Sequence, residues 1–191
     1  MITRLLLLSG LAVLLSAQPR AVEVYAQTGV LGGGGDEGWA GRAGSWGGAL
    51  TVPLVPRLAL DLDFQSARFA RDFGSQGSYF RTRRWLISPA LLYRFGNERV
   101  YGFAGGGLGA ELNRSVSIES NFLPGYQPPG WQEISPGVWK ATHSSRDRTV
   151  HARGGFVISP VRHLVIRVDV HAGWVYVLPN LGVKVGVGYR F

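Results

Sequence analysis

The sequence predicts an all-β fold, in which eight antiparallel strands form an up-and-down transmembrane β-barrel. Three observations lead to this prediction. Apolar residues alternate with polar residues or glycine over most of the chain, short turns alternate with longer connections, and the N-terminus has the composition of an export signal. Unpaired backbone groups are too costly in hydrocarbon, so strands can cross a membrane only in a ring that pairs every edge.

The N-terminal 17 residues are predicted to be a signal peptide. Arg4 precedes an apolar run over residues 5–15, and the small residue Ala17 follows it. This run is shorter than the roughly 20 residues that a transmembrane helix needs. Cleavage is expected after Ala17, with Ala21 as the alternative, and residues 22–191 are then expected to form the barrel.

The last strand shows the alternation most clearly. Every second residue from Leu181 to Phe191 is apolar, whereas the residues between them are polar or glycine. One face of such a strand suits an apolar medium and the other a polar one. The pattern recurs in seven earlier segments. Over residues 99–112 the alternation does not show which face points to the lumen, because Tyr101 and Phe103 share a face with Glu111.

The connections between these segments alternate in length. Proline and Gly-Asn turn chemistry predicts tight turns at 53–57, 96–99 and 159–163. Longer connections are predicted at 33–45, 70–80 and 113–149, with a shorter one at 178–180. Short turns at one end and long loops at the other are typical of outer-membrane barrels. We therefore assign the longest segment, residues 113–149, to an extracellular loop.

The composition bears on partners and cofactors. The net charge is +8, but the arginines are spread along the chain and no nucleic-acid motif is present, so acidic lipid headgroups are the expected partner and nucleic acid is not. The chain has no cysteine, which excludes disulfides and thiolate metal sites. Four scattered histidines offer no specific metal-ligand spacing, and we expect neither a metal nor a cofactor.

Charges of both signs share the face that is predicted to line the lumen. They are Asp61, Asp63, Arg84, Arg94, Glu111, Arg153, Arg167, Asp169, Lys184 and Arg190. An eight-stranded barrel is about wide enough for side chains alone, and a buried charge without a partner is unfavourable. We therefore expect a paired network that fills the lumen. The alternative interpretation is the lining of an ion path.

Histidines on the predicted inward face raise the question of catalysis. His151 and His171 lie there, and some eight-stranded barrels are lipid A deacylases with a His-x-Ser-Asn motif. Gly173 stands where the serine would follow His171. His143 does begin a His-x-Ser sequence, but Arg146 occupies the asparagine position. The sequence therefore predicts no catalytic residue.

The predicted loop at 113–149 is rich in aromatic residues and proline. Its aromatic residues are Phe122, Tyr126, Trp131 and Trp139. Loops of this length are usually functional or disordered, and exposed aromatic residues often anchor partners. One interpretation is a binding surface for another surface protein. The other is an outward extension of two strands, with the aromatic residues packed on each other or on lipopolysaccharide.

The C-terminus is similar to the assembly signal of bacterial outer-membrane barrels. The matching residues are Lys184, Gly186, Tyr189 and Phe191. The mature chain as a whole resembles the small eight-stranded outer-membrane proteins of the OmpA-domain, OmpX and OmpW type, the outer membrane protein β-barrel domain group. The resemblance implies export to the outer membrane, insertion by the barrel-assembly machinery, and contact with outer-membrane lipid and lipopolysaccharide.

Members of this group share a fold without sharing one function. The function expected for this chain is a non-enzymatic one, structural or in surface interaction through the long loops. The alternative is a narrow channel for small ionic or apolar solutes. A lipid A-modifying enzyme is the third hypothesis.

Overall fold

The computed structural model describes residues 21–35, 38–72, 78–120, 129–175 and 178–191, so the predicted signal peptide lies outside the described residues. Over these ranges the chain forms nine β-strands. They are β1 (Glu23–Gly35), β2 (Gly38–Val55), β3 (Leu58–Asp72), β4 (Tyr79–Gly96), β5 (Val100–Glu119), β6 (Trp131–Ser135), β7 (Val138–Val161), β8 (Leu164–Val175) and β9 (Leu178–Arg190). The described residues include no helix that is long and apolar enough to span a membrane.

Eight of the strands pair in a ring. Each is antiparallel to the next in the order β1, β2, β3, β4, β5, β7, β8 and β9, and β9 pairs with β1 again. The short strand β6 pairs with β7 beside this ring. The predicted all-β, eight-stranded, up-and-down barrel is confirmed, and β6 is an additional strand that the sequence did not predict.

The two faces of the ring differ in polarity. Inward-facing positions hold charged and polar side chains, of which Asp61 is fully buried. Outward-facing positions hold exposed apolar side chains, such as Val187 at 55% exposure and Leu60 at 45%. Soluble proteins rarely expose apolar patches as extensive as this wall. The arrangement is the reverse of a soluble barrel, which hides its apolar face inside, and it suits strands that lie between hydrocarbon and a polar lumen.

Inward-facing glycines allow neighbouring strands to approach closely. A Cβ atom at Gly105 or Gly107 would overlap the carbonyl oxygens of Leu91 and Pro89 on β4. Glycine is common where another backbone comes this near. The glycine-rich start of β5 therefore lets β4 and β5 pack tightly on the inner side of the barrel.

The tight turns predicted from the sequence lie where expected. Gly96 adopts a positive φ of 120°, and the Asn97 side chain accepts hydrogen bonds from the N–H groups of Arg99 and Val100. The turn between β2 and β3 is at residues 56–57, and the pairing shifts register near Pro53. Proline has no N–H to donate to a strand partner, which accounts for the irregularity there.

The long predicted connections are mostly strand. β5 and β7 pair continuously from Val100 opposite Ile158 to Glu119 opposite Trp139, so the segment at 113–149 is largely a two-stranded extension rather than a loop. In the same way, β1 and β2 continue pairing to Gly35 opposite Gly38. The prolines did not prevent this, because Pro129 and Pro136 lie outside β5, β6 and β7.

The structure shows which face of β5 points to the lumen, a point that the sequence left open. Tyr101, Phe103 and Glu111 all point inward and are buried. The guanidinium carbon of Arg94 lies 4.0 Å from the ring centre of Tyr101, and that of Arg167 lies 4.4 Å from the ring centre of Phe103. Aromatic rings are accommodated inside this barrel because arginine side chains stack on them.

Candidate functional site: the lumen and the outer extension

The lumen is filled in layers, and the layer nearest the tight turns is centred on Glu23. This carboxylate accepts hydrogen bonds from the hydroxyls of Tyr25, at 2.5 Å, and Tyr101. Arg190 and Arg94 form ion pairs with the same carboxylate at 2.7 and 3.4 Å. Four donors from four strands therefore converge on one fully buried acid.

The central layer is a network of three carboxylates and three cations. Arg167 pairs with Asp61 at 2.7 Å and with Asp169 at 2.8 Å. Arg153 pairs with Asp61 at 2.5 Å and also with Asp169. Lys184 completes the set by pairing with Asp63 at 2.7 Å. The formal charges cancel, so the layer satisfies the requirement that buried charges be paired.

A third layer lies towards the outer ends of the strands. Arg84 pairs with Glu111 at 2.9 Å and donates hydrogen bonds to Asn180 and Asn113 at 3.0 and 3.2 Å. Asn180 and Asn113 in turn donate to the Glu111 carboxylate. This layer is also neutral in formal charge.

These contacts cross the ring instead of running along its wall. Asp61 is on β3, and its partner Arg167 is on β8 on the opposite side of the ring. Arg84 on β4 reaches Asn180 on β9 in the same way, over a sequence separation of 96 residues. Side chains from opposite walls therefore meet in the lumen at two levels.

Two histidines lie in the lumen next to the central layer. The rings of His151 and His171 are 5.7 Å apart and both side chains are buried. Neither ring nitrogen of either histidine has a hydrogen-bond partner. Among the residues that the structure describes, no three histidine or carboxylate side chains are grouped as metal ligands.

A cavity of about 820 Å³ opens at the turn end of the barrel. Its inner wall is the Glu23 layer, including Arg94, Tyr101 and Arg190, and its rim includes Arg57. The Arg57 side chain donates a hydrogen bond to the Tyr93 hydroxyl at 3.1 Å. The cavity is therefore a polar vestibule that ends at the first lumen layer.

The outer extension consists of the far halves of β5 and β7 together with β6. Glu133 on β6 accepts a hydrogen bond from the N–H of Gly137, whose φ of 76° forms the tight turn into β7. Trp131 and Trp139 are half-buried in this extension. Phe122 and Tyr126, the other two aromatic residues predicted to bind a partner, lie outside the described residues.

The residues of the predicted assembly signal lie on both faces of β9. Lys184 and Gly186 face inward, whereas Tyr189 and Phe191 are exposed on the outer wall, with ring centres 4.9 Å apart. The Phe191 N–H donates to the Val22 carbonyl at 3.0 Å. The C-terminal aromatic residues therefore lie on the outer wall beside β1.

Sequence reasoning missed several lumen residues. Glu23 and Tyr25 alternate with the apolar residues of β1, so the period of two could have placed them inside. Asn180 was placed at the boundary between the predicted connection at 178–180 and the polar face of the last strand, but it was not included in the predicted lumen network. The pairing of Arg84 with Asn180 had no signal in the sequence, because it depends on how the opposite walls are staggered.

Comparison with known structures gives a consistent result. Ail, the attachment invasion locus protein of Yersinia pestis, superposes with a TM-score of 0.57 at 15% identity, over 90% of this chain and 97% of that one. The N-terminal β-barrel domain of Pseudomonas aeruginosa OprF has a TM-score of 0.53 at 13% identity, over 90% and 98%. This chain has the fold of the small outer-membrane β-barrels. Neisserial surface protein A has a TM-score of 0.52 at 12% identity, over 89% of this chain and 97% of that one.

Comparison of the sequence alone finds no relative of this chain. No family model matches the chain, and no curated protein matches it. The predicted resemblance to the small outer-membrane barrels is therefore confirmed at the level of the fold, which does not by itself assign a function. One of the solved structures shows Ail in complex with the heparin analogue sucrose octasulfate.

Proposed function

We propose that this small outer-membrane barrel is an exported, integral protein of the outer membrane with a non-enzymatic role in surface interaction. Its lumen serves as a rigid core, and its recognition element is the outer extension formed by β5, β6 and β7. The observation that carries this proposal is the pair of side-chain networks that join opposite walls of the lumen.

The networks favour a rigid core over a channel. A permeating ion would have to separate Arg167 from Asp61 and Arg84 from Glu111, which are paired at 2.7 and 2.9 Å. Removing one partner of a buried ion pair typically costs about 3–5 kcal/mol. An eight-stranded barrel is also about as wide as its own side chains require. Low conductance follows from both points.

The extension supports a surface role because it adds paired strand beyond the exposed apolar wall. β7 has 24 residues and β5 has 20, whereas a transmembrane strand needs only about 9–11. The residues beyond the hydrocarbon are ordered by strand pairing, which places Glu119 opposite Trp139 and Trp131 opposite Ala141. An ordered extension offers a partner a preformed surface, which lowers the entropic cost of binding.

Sulfated polysaccharide is one partner class to test. Ail was crystallised with a sulfated heparin analogue, and the extension of this chain exposes Lys140 and His143 on β7. We include a soluble sulfated ligand in the experiment below because cationic side chains bind sulfate by charge-assisted hydrogen bonds.

An enzyme acting on lipid is the least favoured function. The buried His151 and His171 have no hydrogen bond to a serine or threonine hydroxyl. A histidine base in nucleophilic catalysis lies within hydrogen-bond reach of its nucleophile. Both imidazoles also lie inside the ring, away from the outer wall that lipid would contact.

The test separates the lumen from the extension. The native protein and a variant with residues 116–143 replaced by a short Gly-Ser turn are refolded in bilayers; the replacement removes β6 together with the exposed Lys140 and His143. Both are expected to form heat-modifiable barrels. The entropic cost of closing a connection depends only weakly on its length, so shortening it should change the stability of the barrel little. Conductance across planar bilayers is expected to be low for both. Binding to cell-surface protein, to matrix or to sucrose octasulfate is expected only for the native protein.

A matched control keeps the extension and removes one layer of the lumen. The double variant Arg84→Ala with Glu111→Ala removes the outer network without leaving a lone charge. It should bind surface partners normally. Strong conductance of the native protein would reverse the proposal in favour of the channel. Unchanged binding after the deletion would show that the extension is not the recognition element.

A further inference from the structure

Seven arginines lie on the outer wall of the barrel near its outer end. They are Arg42 on β2, Arg68 on β3, Arg81 and Arg83 on β4, Arg114 on β5, and Arg146 and Arg148 on β7. We call this set the arginine arc. The described outward-facing positions of β1, β8 and β9 carry no arginine, so the arc occupies one side of the barrel.

The arc begins where the exposed apolar wall ends. Arg83, Arg114 and Arg148 are each the next outward-facing residue beyond an exposed or half-exposed apolar side chain, which is Trp85, Leu112 and Val150 respectively. These positions are separated from the tight turns by about the ten residues that cross the hydrocarbon. In a membrane the arc therefore lies at the level of the headgroups of the outer leaflet, beside the aromatic girdle.

Register aligns three of these arginines on adjacent strands. Arg68 is opposite Arg83, and Arg83 is opposite Arg114. Adjacent strands are about 4.8 Å apart, and like charges directly opposite each other destabilise a sheet. Anions placed between the guanidinium groups would convert this repulsion into attraction.

The protein itself supplies no such anion. None of the seven arginines forms an ion pair with a described carboxylate. The Nε of Arg83, at the centre of the aligned row, is buried and donates to no acceptor. Its guanidinium lies 4.7 Å from the ring centre of Trp85, which holds it beside the apolar wall. An oriented and unpartnered donor at this place points to a ligand.

We propose that the arginine arc is a lateral binding site for the phosphate groups of outer-leaflet glycolipid. Guanidinium groups bind phosphate through two parallel hydrogen bonds. The acyl chains of the same lipid would lie against the apolar wall directly below, on Trp85, Leu112 and Val150. The site needs the membrane location proposed above, but it does not depend on the role of the outer extension.

The orientation of the arc favours lipid over a soluble polyanion. Its side chains project sideways from the barrel wall at the edge of the apolar surface, where lipid headgroups lie. A soluble polysaccharide would approach from above and would meet the extension near Lys140 and the turn at Gly137 first.

The experiment measures lipid preference in a bilayer. Native protein is inserted into bilayers that contain equal amounts of bis-phosphorylated and dephosphorylated lipid A, and the ratio of the two lipids retained after gentle extraction is measured by native mass spectrometry. The arc variant carries Arg68→Gln, Arg83→Gln and Arg114→Gln. The control carries Arg57→Gln, Arg99→Gln and Arg162→Gln, which remove the same charge from exposed positions at the turn end.

The native protein and the control are expected to retain the phosphorylated lipid preferentially. The arc variant should lose this preference, by roughly fivefold for each arginine removed. Should the arc variant fail to give a heat-modifiable barrel, Arg81→Gln with Arg146→Gln and Arg148→Gln makes the same test from the flanks of the arc. High salt should reduce the preference of the native protein, since screening weakens exposed charge interactions.

Two results would overturn the proposal. One is an unchanged lipid preference in an arc variant that has inserted normally. The other is a native protein that retains the two lipids equally but loses binding of sucrose octasulfate in the arc variant, which would reassign the arc to soluble polyanions. Failure of the native protein to insert into any bilayer would instead overturn the membrane location, and this outcome is recognised by the absence of a heat-modifiable band.

Discussion

Arg167 illustrates how single residues determine the interior of this barrel. Its guanidinium contacts Asp61, Asp169 and Thr51 and lies over the ring of Phe103. The inward position of Arg167 was predictable, because it alternates with the apolar residues of β8. Its partners were not predictable, since Asp61 is 106 residues away and meets it only through the stagger of the closed ring.

Replacing Arg167 should destabilise the folded barrel strongly. Arg167→Met leaves three central carboxylates with two cations, and the free energy of unfolding in lipid vesicles should fall by about 3–5 kcal/mol. The measurement is urea unfolding followed by tryptophan fluorescence. Adding Asp61→Asn should recover part of the loss, because it removes one of the uncompensated charges.

The exposed Arg162 provides the matched control for this measurement. Arg162→Gln should change stability by less than about 0.5 kcal/mol, as surface substitutions usually do. Equal stability of Arg167→Met and Arg162→Gln would show that the central network does not hold the walls together.

The elements of the barrel were predictable to different degrees. β9 was clear from its strict alternation from Leu181 to Phe191, because one face meets an apolar medium along its whole length. The far half of β7 was not, because beyond the apolar wall both faces are polar and the period of two disappears. The extension was therefore interpreted as a loop, although the pairing continues to Glu119 opposite Trp139.

A disulfide can test whether the extension keeps this register. The chain has no cysteine, so Ser117→Cys with Ala141→Cys introduces one defined pair at directly opposite positions. Their Cβ atoms point to the same face, and oxidation should link them. Ser117→Cys with Thr142→Cys places the second thiol on the other face and should stay reduced.

Alkylation with a thiol reagent followed by mass spectrometry distinguishes the linked and free forms in both double variants. Linking in both pairs, or in neither, would mean that β5 and β7 separate at this level and that residues 113–149 behave as the loop first expected.

At the scale of the whole molecule, the ring is adapted to a membrane because its apolar side chains face outward and its polar side chains face the lumen. Val185 lies halfway along β9 and is 47% exposed, whereas Val161 lies at the turn end and is 62% exposed. Exposure alone does not separate the two positions, but depth in a bilayer does. The penalty for a lipid-facing charge is greatest at the midplane and falls towards the interface.

Val185→Arg should therefore lower the free energy of unfolding by about 2–4 kcal/mol, and Val161→Arg by about 0–1 kcal/mol. Both are measured by reversible unfolding in vesicles of the same lipid. Equal penalties at the two positions would indicate that β9 does not cross the bilayer as proposed.

Assembly of the whole molecule should depend on its C-terminal residue. Deletion of Phe191 removes the ring that packs edge-to-face on Tyr189 and the backbone hydrogen bond to Val22, and outer-membrane insertion should be impaired. Phe191→Tyr keeps an aromatic ring and serves as the conservative control. Heat-modifiable protein in outer-membrane fractions reports the result, and normal assembly of the deletion at ordinary expression would remove Phe191 from the assembly signal.

The pairing of β1 with β9 has a consequence for the order in which the chain folds. The other neighbouring strands of the ring follow each other along the chain, with only β6 between β5 and β7, but the ion pair of Glu23 with Arg190 joins residues 167 positions apart. Contacts between such distant residues form slowly, because the loop entropy is lost before the contact is gained. The hairpins join strands that follow each other along the chain, whereas closure needs both ends of the barrel sequence. We therefore expect the Glu23–Arg190 contact to form late in folding, at the point where the sheet loses its two edges.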